Sequence, residues 1–205
     1  MTTLSAITNM LKSDTLPRWR RRLRKECGSL PRQFRPRLWF WSACARLLPE
    51  FTLPTLRAHF YRLGGCDIAR GVAILGRLRL LGEGDIAARL HVGEGCLIAP
   101  GVTFGLDAEI TLGRRVSVSP QATLYTATHS LGFGSRRMNP AVAPKPICVE
   151  DGAWVGMQSL ILPGQTLGHG CVVSAGSVVT QNVPPDTLVA GNPAATLQSL
   201  PFGNR

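Results

Sequence analysis

Between Val149 and Val183 the chain repeats every six residues. Branched aliphatic residues stand at Val149, Val155, Ile161, Leu167, Val173 and Val179. The residue four places after each is Ala153, Ser159, Gln165, Cys171, Ser177 and Val183, mostly small. An α-helix repeats near 3.6 residues and a strand near two, so a sustained period of six fits neither. A short fixed period with glycine at recurring offsets marks a β-solenoid, in which one repeat cannot bury its apolar face without the next.

The same ladder runs upstream through Ile68, Ile74, Leu80, Ile86, Val92, Ile98 and Phe104. It then resumes at Leu112, Val118 and Leu124, so two residues are inserted around Leu106–Ala108. The pattern breaks once more over Ser130–Pro146 before returning at Val149. Sixteen such rungs, three to a turn, predict about five coils stacked like neighbouring parallel strands. The expected layout is a basic helical segment over 1–66, a mainly β solenoid over 67–184 with an excursion loop at 130–146, and a tail over 185–205.

Charge separates these parts. Residues 1–67 hold thirteen Lys/Arg against four Asp/Glu, which is +9 of the chain's +11. Six of those cations crowd into Pro17–Lys25. A short apolar helix is expected over Arg37–Leu48 between Pro36 and Pro49. A second is expected over Leu53–Leu63, with Pro54 in its first turn, Gly64 as its stop, and Leu56, Phe60 and Leu63 as its apolar stripe. Two compatible readings stand for this third of the chain. It is a helical cap over the open end of the solenoid, or a basic, Trp-bearing surface at residues 17–48 that rests on an anionic membrane or receives a polyanionic acceptor. No nucleic-acid recognition motif accompanies the charge, so nucleic acid is not an expected partner.

The six cysteines (Cys27, Cys44, Cys66, Cys96, Cys148, Cys171) show no CxxC pair and no metal-ligand spacing. Cys96 and Cys171 fall on inward small positions and read as buried hydrophobes. Reduced thiols point to a cytoplasmic address, with peripheral contact on the inner face of the membrane as its variant. No signal peptide is visible, and no apolar run approaches the ~20 residues of a spanning helix.

Three stretches carry more than periodicity: TATHS at 126–130, APKPICVEDGAWVG at 143–156, and SAGSVVTQNVPPDTLVAGNPA at 174–194. By the count that makes Ala153 inward, Thr128 is inward and His129 points out at a corner. An imidazole there can take up and return a proton near neutral pH. With these motifs the chain, over about Ile68–Pro193, resembles the hexapeptide-repeat acyltransferase superfamily. It is most similar to the colanic acid biosynthesis acetyltransferases, and more distantly to the maltose and galactoside acetyltransferases.

The resemblance implies a left-handed parallel β-helix and acyl transfer by direct attack. His129 would deprotonate an acceptor hydroxyl, and a backbone N–H near Gly156–Met157 would hold the oxyanion. Acetyl-CoA would lie along the late coils past Gly156, Ala175, Gly176 and Thr180, although small residues at solenoid corners need no ligand to explain them. Trp154 would approach the acyl or acceptor site, and Asp107 would help hold a sugar. The assembly implied is a homotrimer with sites between subunits. The acceptor implied is a sugar hydroxyl of a polysaccharide precursor or glycolipid. A small-molecule acceptor of the serine or antibiotic type, or a non-catalytic scaffold, are the alternatives. The excursion loop, with Arg136, Arg137 and Lys145, is a solvated loop or a lid over an anionic acceptor.

Three positions depart from the family pattern. Ala99-Pro100 stand where an acceptor-binding Asn is expected, and Gln181 and Ala195 where cations approach CoA phosphates. His59, His91 and His169 are too far apart in sequence for a zinc site, so no metal is expected.

Overall fold

The computed structural model describes residues 35–132 and 137–201. The basic cluster Pro17–Lys25 and Arg136 lie outside the described residues. From Asp67 onward the chain winds into a parallel β-solenoid with three walls. The first wall stacks Asp67–Ile68, Leu90–Val92, Ile110–Leu112, Ile147–Val149 and Thr166–Leu167. The second stacks Ala73–Ile74, Leu97–Ile98, Ser117–Val118, Trp154–Val155, Val172–Val173 and Thr187–Gly191, and Ala194–Ser199 closes that sheet antiparallel at its edge. The third stacks Arg79–Leu81, Thr103–Gly105, Thr123–Tyr125, Leu160–Ile161 and Val178–Val179.

Alternation along a strand turns the ladder residue inward in every wall, and in the three-residue strands of the first wall a second residue, Leu90, Ile110 or Ile147, is buried with it. In the first wall Ile68, Val92, Leu112, Val149 and Leu167 sit directly above one another and are all buried. Each fully buried aliphatic side chain is worth about 1.5–3 kcal/mol of transfer free energy, so the column is the main support of the fold.

Late coils have the expected length: eighteen residues separate Val149 from Leu167, Val155 from Val173 and Ile161 from Val179. Earlier coils are longer. Twenty residues separate Val92 from Leu112, which confirms the insertion at Leu106–Ala108. Twenty-four separate Ile68 from Val92, and this corrects the ladder: Ile86 is buried but belongs to no wall. It lies in a loop, Gly82–Arg89, that ends in a 3-10 turn over Ala87–Arg89. The insertion is six residues long, so it keeps the period while leaving the wall. Thr128 is corrected too. It is exposed, whereas Thr126 is fully buried, its hydroxyl donating to the Gly105 carbonyl at 2.6 Å.

Before the solenoid come α1 (Pro36–Leu47) and α2 (Pro54–Leu63), close to the expected spans. Pro occupies the first turn of each, and Gly64 ends α2 by donating its N–H to the Phe60 carbonyl. The two helices pack on each other, and α2 packs on the first coil. The buried face of α2 is Arg57, Ala58 and Tyr61 rather than the expected apolar stripe. Leu56 points to solvent, and Phe60 is half-buried, stacked on Trp41 at 5.6 Å between ring centroids.

The reason lies in what α2 covers. The end of α1, the turn after it and the first coil converge on α2 and present main-chain carbonyls that need a donor. Arg57 is fully buried and answers five of them. Its guanidinium donates to Ile74 at 2.8 Å, Pro49 at 2.7 Å, Leu48 at 3.0 Å, Thr52 at 3.3 Å and Ala45 at 3.3 Å. An apolar residue could fill that space but could not donate. Arg57→Met is therefore expected to cost about 3 kcal/mol or more, because buried acceptors lose charge-assisted bonds. Chemical denaturation should read this as a lower midpoint at unchanged slope, and an unaltered midpoint would contradict the capping role.

Candidate active site

All three insertions beyond the eighteen-residue coil occur at the same corner, where the third wall turns into the first. Gly82–Arg89 leaves there from one coil, Leu106–Glu109 from the next, and Thr126–Pro146 from the third. Stacked insertions at one corner make a projecting cluster, and His129 stands in it.

Thr126 anchors the exit of the long excursion. Besides its bond to Gly105, its hydroxyl accepts the Ala108 N–H at 2.9 Å, which ties the shorter insertion to the coil above. Past it, His129–Leu131 pairs antiparallel with Met138–Val142, so the excursion begins as a β-hairpin. The hairpin orients the imidazole: Nδ1 of His129 lies 2.9 Å from the Asn139 carbonyl. A carbonyl only accepts, so Nδ1 carries the proton of the neutral ring. Nε2 is left with a free lone pair on an exposed side chain.

A cavity of about 690 Å³ opens beside it, lined by Gly82, Glu83, Arg89, Asp107, Tyr125 and His129 among others. Arg89 braces its wall, donating through Nη1 to the carbonyls of Leu106 at 2.8 Å, Glu83 at 2.9 Å and Asp107 at 3.1 Å. Asp107 in turn accepts the Glu83 N–H at 3.3 Å. An imidazole base and two carboxylates around one cavity suit a ligand with several hydroxyl groups. Tyr125 and Ala127 also line a second groove of about 540 Å³, with Thr128, Lys145, Leu162 and Thr180. The two spaces thus share a border next to His129.

Of the expected site residues, Asp107 and His129 meet in the first cavity and Thr180 lines the second. The others stand elsewhere in the protomer. Gly156, Met157, Ala175 and Gly176 occupy the corner between the second and third walls. Trp154 faces outward on the second wall, about half exposed, its Nε1 donating to the Ser119 hydroxyl at 2.9 Å. The Gly156 N–H already donates to the Val173 carbonyl at 2.8 Å, and the Gly176 N–H to the Met157 carbonyl at 2.8 Å. Those two amides serve the coil stack, so the Gly156 N–H is not free to hold an oxyanion. Gly156 has a packing reason besides, since a Cβ there would collide with the backbone of the next coil. Gly176, at φ +69°, faces open space.

Among the described residues no group of three His, Cys, Asp or Glu could hold a metal ion. Burial pushes the Cys66 and Cys171 thiols up to about 12 and raises those of Cys96 and Cys148. None of these four is a ready thiolate. His91 pairs with Asp67 at 3.0 Å, and His169 lies 3.3 Å from Asp186, so both have surface partners.

No family profile matches the chain. Individual relatives do. An acetyltransferase-like protein of Schizosaccharomyces pombe is 38% identical over 116 residues, 57% of this chain and 56% of its own length. Galactoside O-acetyltransferase of Escherichia coli is 29% identical over 113 residues, 55% of each chain. The chain therefore spans little more than half the length of these curated relatives. A solved hexapeptide-repeat acetyltransferase of Vibrio cholerae is 31% identical, covering 82% of this chain and 90% of that one, at a TM-score of 0.67. The chain belongs to the hexapeptide-repeat acetyltransferase family. Its solenoid is the family's left-handed parallel β-helix. The same Vibrio protein has also been solved with acetyl coenzyme A, at 30% identity to this chain and a TM-score of 0.63.

Within this family frame, sequence reasoning missed Tyr125, Arg89, Glu83 and Asn139. Tyr125 left a trace: Gly105 sits one coil below it, at a strand position where a Cβ would collide with the Tyr125 ring. Asn139 acts through its carbonyl, which any residue type has, so no side-chain signal existed. The Arg89 bracing makes a prediction independent of activity. Arg89→Met should speed amide exchange at Glu83 and across 106–108 while leaving 166–180 unchanged. Equal exchange in both proteins would show that the cavity wall holds without it.

Proposed function

We propose that this family member is an acetyl-CoA-dependent O-acetyltransferase acting on a sugar hydroxyl of a polysaccharide precursor or glycolipid. The observation that carries the reading is the His129 imidazole, tautomer set by Asn139, with Nε2 free beside a cavity that also holds Asp107. Nε2 removes the proton of the acceptor hydroxyl as its oxygen bonds to the thioester carbonyl carbon. The Nδ1–H bond to Asn139 steadies the imidazolium that forms. When the tetrahedral centre collapses, the C–S bond breaks and the imidazolium returns the proton to the departing sulfur. The products are the O-acetyl ester and the free CoA thiol, with no acyl-enzyme. Solution of the Vibrio relative with acetyl coenzyme A supports the donor, and the E. coli relative's name supports a sugar acceptor.

We place the acceptor in the cavity of Asp107, Glu83 and Tyr125, and the donor thioester in the adjoining groove by Thr180. We further propose a homotrimer. Trp154, Gly156, Met157, Ala175 and Gly176 lie on another wall and corner from His129, and a neighbouring protomer would bring that set to the same site.

His129→Ala should lower kcat/KM for acetyl-CoA and a responsive sugar by about 10²–10⁴-fold, the usual share of a general base. Thiol release across a panel of sugar acceptors is the assay, and equal rates for the two proteins would sink the mechanism. Asp107→Asn should raise KM for the acceptor more than it lowers kcat. Light scattering should return three times the chain mass of 22.1 kDa, and a monomer would remove the shared site.

A further inference from the structure

The outer face of α1 is apolar where a helix on a protein surface is ordinarily polar. Pro36, Phe40, Ala43 and Leu47 recur at helical spacing, with Trp39 and Arg46 beside them. The inner face, Leu38 and Ala45, is buried as well, so both sides of the helix are greasy. Trp39 is 66% exposed and Leu47 84%, with Phe40 also turned to solvent. The turn that follows adds a second, independent feature. Phe51 at φ +60° and Leu53 at φ +45° hold left-handed backbone that bulky residues rarely adopt, and both are well exposed. That turn is not loose. The Phe51 N–H donates to Leu75 at 2.7 Å, and Arg57 grips the carbonyls of Leu48, Pro49 and Thr52 around it. A rigid turn pushing two apolar side chains outward is strain held in place by the cap.

We infer that this cap face, α1 with Phe51 and Leu53, docks the protein on an anionic lipid bilayer. Charge decides between the possible occupants. From Arg35 to Pro49 there is no acidic residue, and the exposed ions of α1 are Arg37 and Arg46, with Glu50 just beyond. In the sequence, residues 1–34, outside the described part, hold eight Lys/Arg against two Asp/Glu. A second copy of this surface would set like charges against each other, whereas anionic headgroups would meet them with opposite charge. Geometry agrees with an interfacial helix. Twelve residues at about 1.5 Å each cannot cross a hydrocarbon layer of about 30 Å. Among the described residues no helix is long and apolar enough to do so. The helix would lie flat, with Trp39 and Phe40 at headgroup depth and the Arg residues reaching for phosphates.

The test is co-sedimentation of the whole protein with vesicles of phosphatidylcholine containing one quarter phosphatidylglycerol. Binding should exceed that to pure phosphatidylcholine and fall as salt is raised. The triple variant Trp39→Ser, Phe40→Ser, Leu47→Ser changes only outward side chains and should bind about tenfold more weakly or worse. Trp39→Phe keeps the apolar surface and serves as a probe: brominated lipids should quench wild-type tryptophan emission and quench this variant measurably less. Failure of the wild type to prefer anionic vesicles would overturn the inference. So would undiminished binding by the triple variant, or identical quenching of wild type and Trp39→Phe. A triple variant that drops to a smaller species by light scattering, with a wild type that ignores vesicles, would assign the face to self-association instead.

Discussion

Everything in this molecule depends on one stacking constraint. Each coil contributes only one or two inward aliphatic residues per wall, and these are dry only if the next coil places its own directly above. Ile68, Val92, Leu112, Val149 and Leu167 show the result over the first wall. The register cannot slip, because a one-residue shift in a strand turns its inward side chain outward. The coil interior therefore has no freedom to carry chemistry. What remains free is the length of chain between one wall and the next, and the two ends of the stack. Function has to be sought in those places, and both are occupied by departures from the pattern.

The corner between the third and first walls collects all the extra length. Three successive coils leave it with six, two and nineteen residues beyond the eighteen of a regular turn. Because parallel stacking holds the coils in register, insertions at equivalent points pile up into one body rather than scattering around the surface. Arg89 belongs to the lowest insertion, Asp107 to the middle and His129 to the highest, and Thr126 and Arg89 bond between them. Rigid walls thus bring together residues that are forty positions apart. The open lower end shows the same logic in reverse. There the stack stops, and a buried Arg rather than an apolar residue joins the Ile74 carbonyl of the first coil to the carbonyls of the helical cap.

Periodicity made the fold legible, and its limits explain the errors. An insertion of two residues was visible because it broke the count at Leu112. An insertion of six was invisible because Ile86 fell on the expected beat while the chain was looping out. The same count places Thr128 inward, but the chain departs from the coil after Thr126, so the count no longer applies there. On α2 the apolar stripe suggested Leu56 as core, yet the surface it meets is carbonyl-rich, and Arg57 took the place. His129 could be named from a local motif, and Asp107 from the family resemblance. Their supports, Arg89 and the Asn139 carbonyl, act through space and main chain, which composition and spacing do not record.

A prism of stacked coils is too stiff to bend one wall toward another, and this limits how an active centre can be assembled. His129 leaves the corner after the third wall, while Trp154 projects from the second wall and Gly156 and Gly176 lie at the corner that precedes the third. No hinge among the described residues could close that separation, since wall residues are tied to the coils above and below. If both sets belong to one centre, the second must come from another protomer packed side by side, which makes the flatness of the walls a functional property. If they do not, Trp154 and the small residues of the late coils serve the stack alone, as the committed amides of Gly156 and Gly176 already do. The two cases differ in what a single chain can do. In the first, a single protomer holds only the His129 cavity and the adjoining Thr180 groove; in the second, those two spaces are the whole centre.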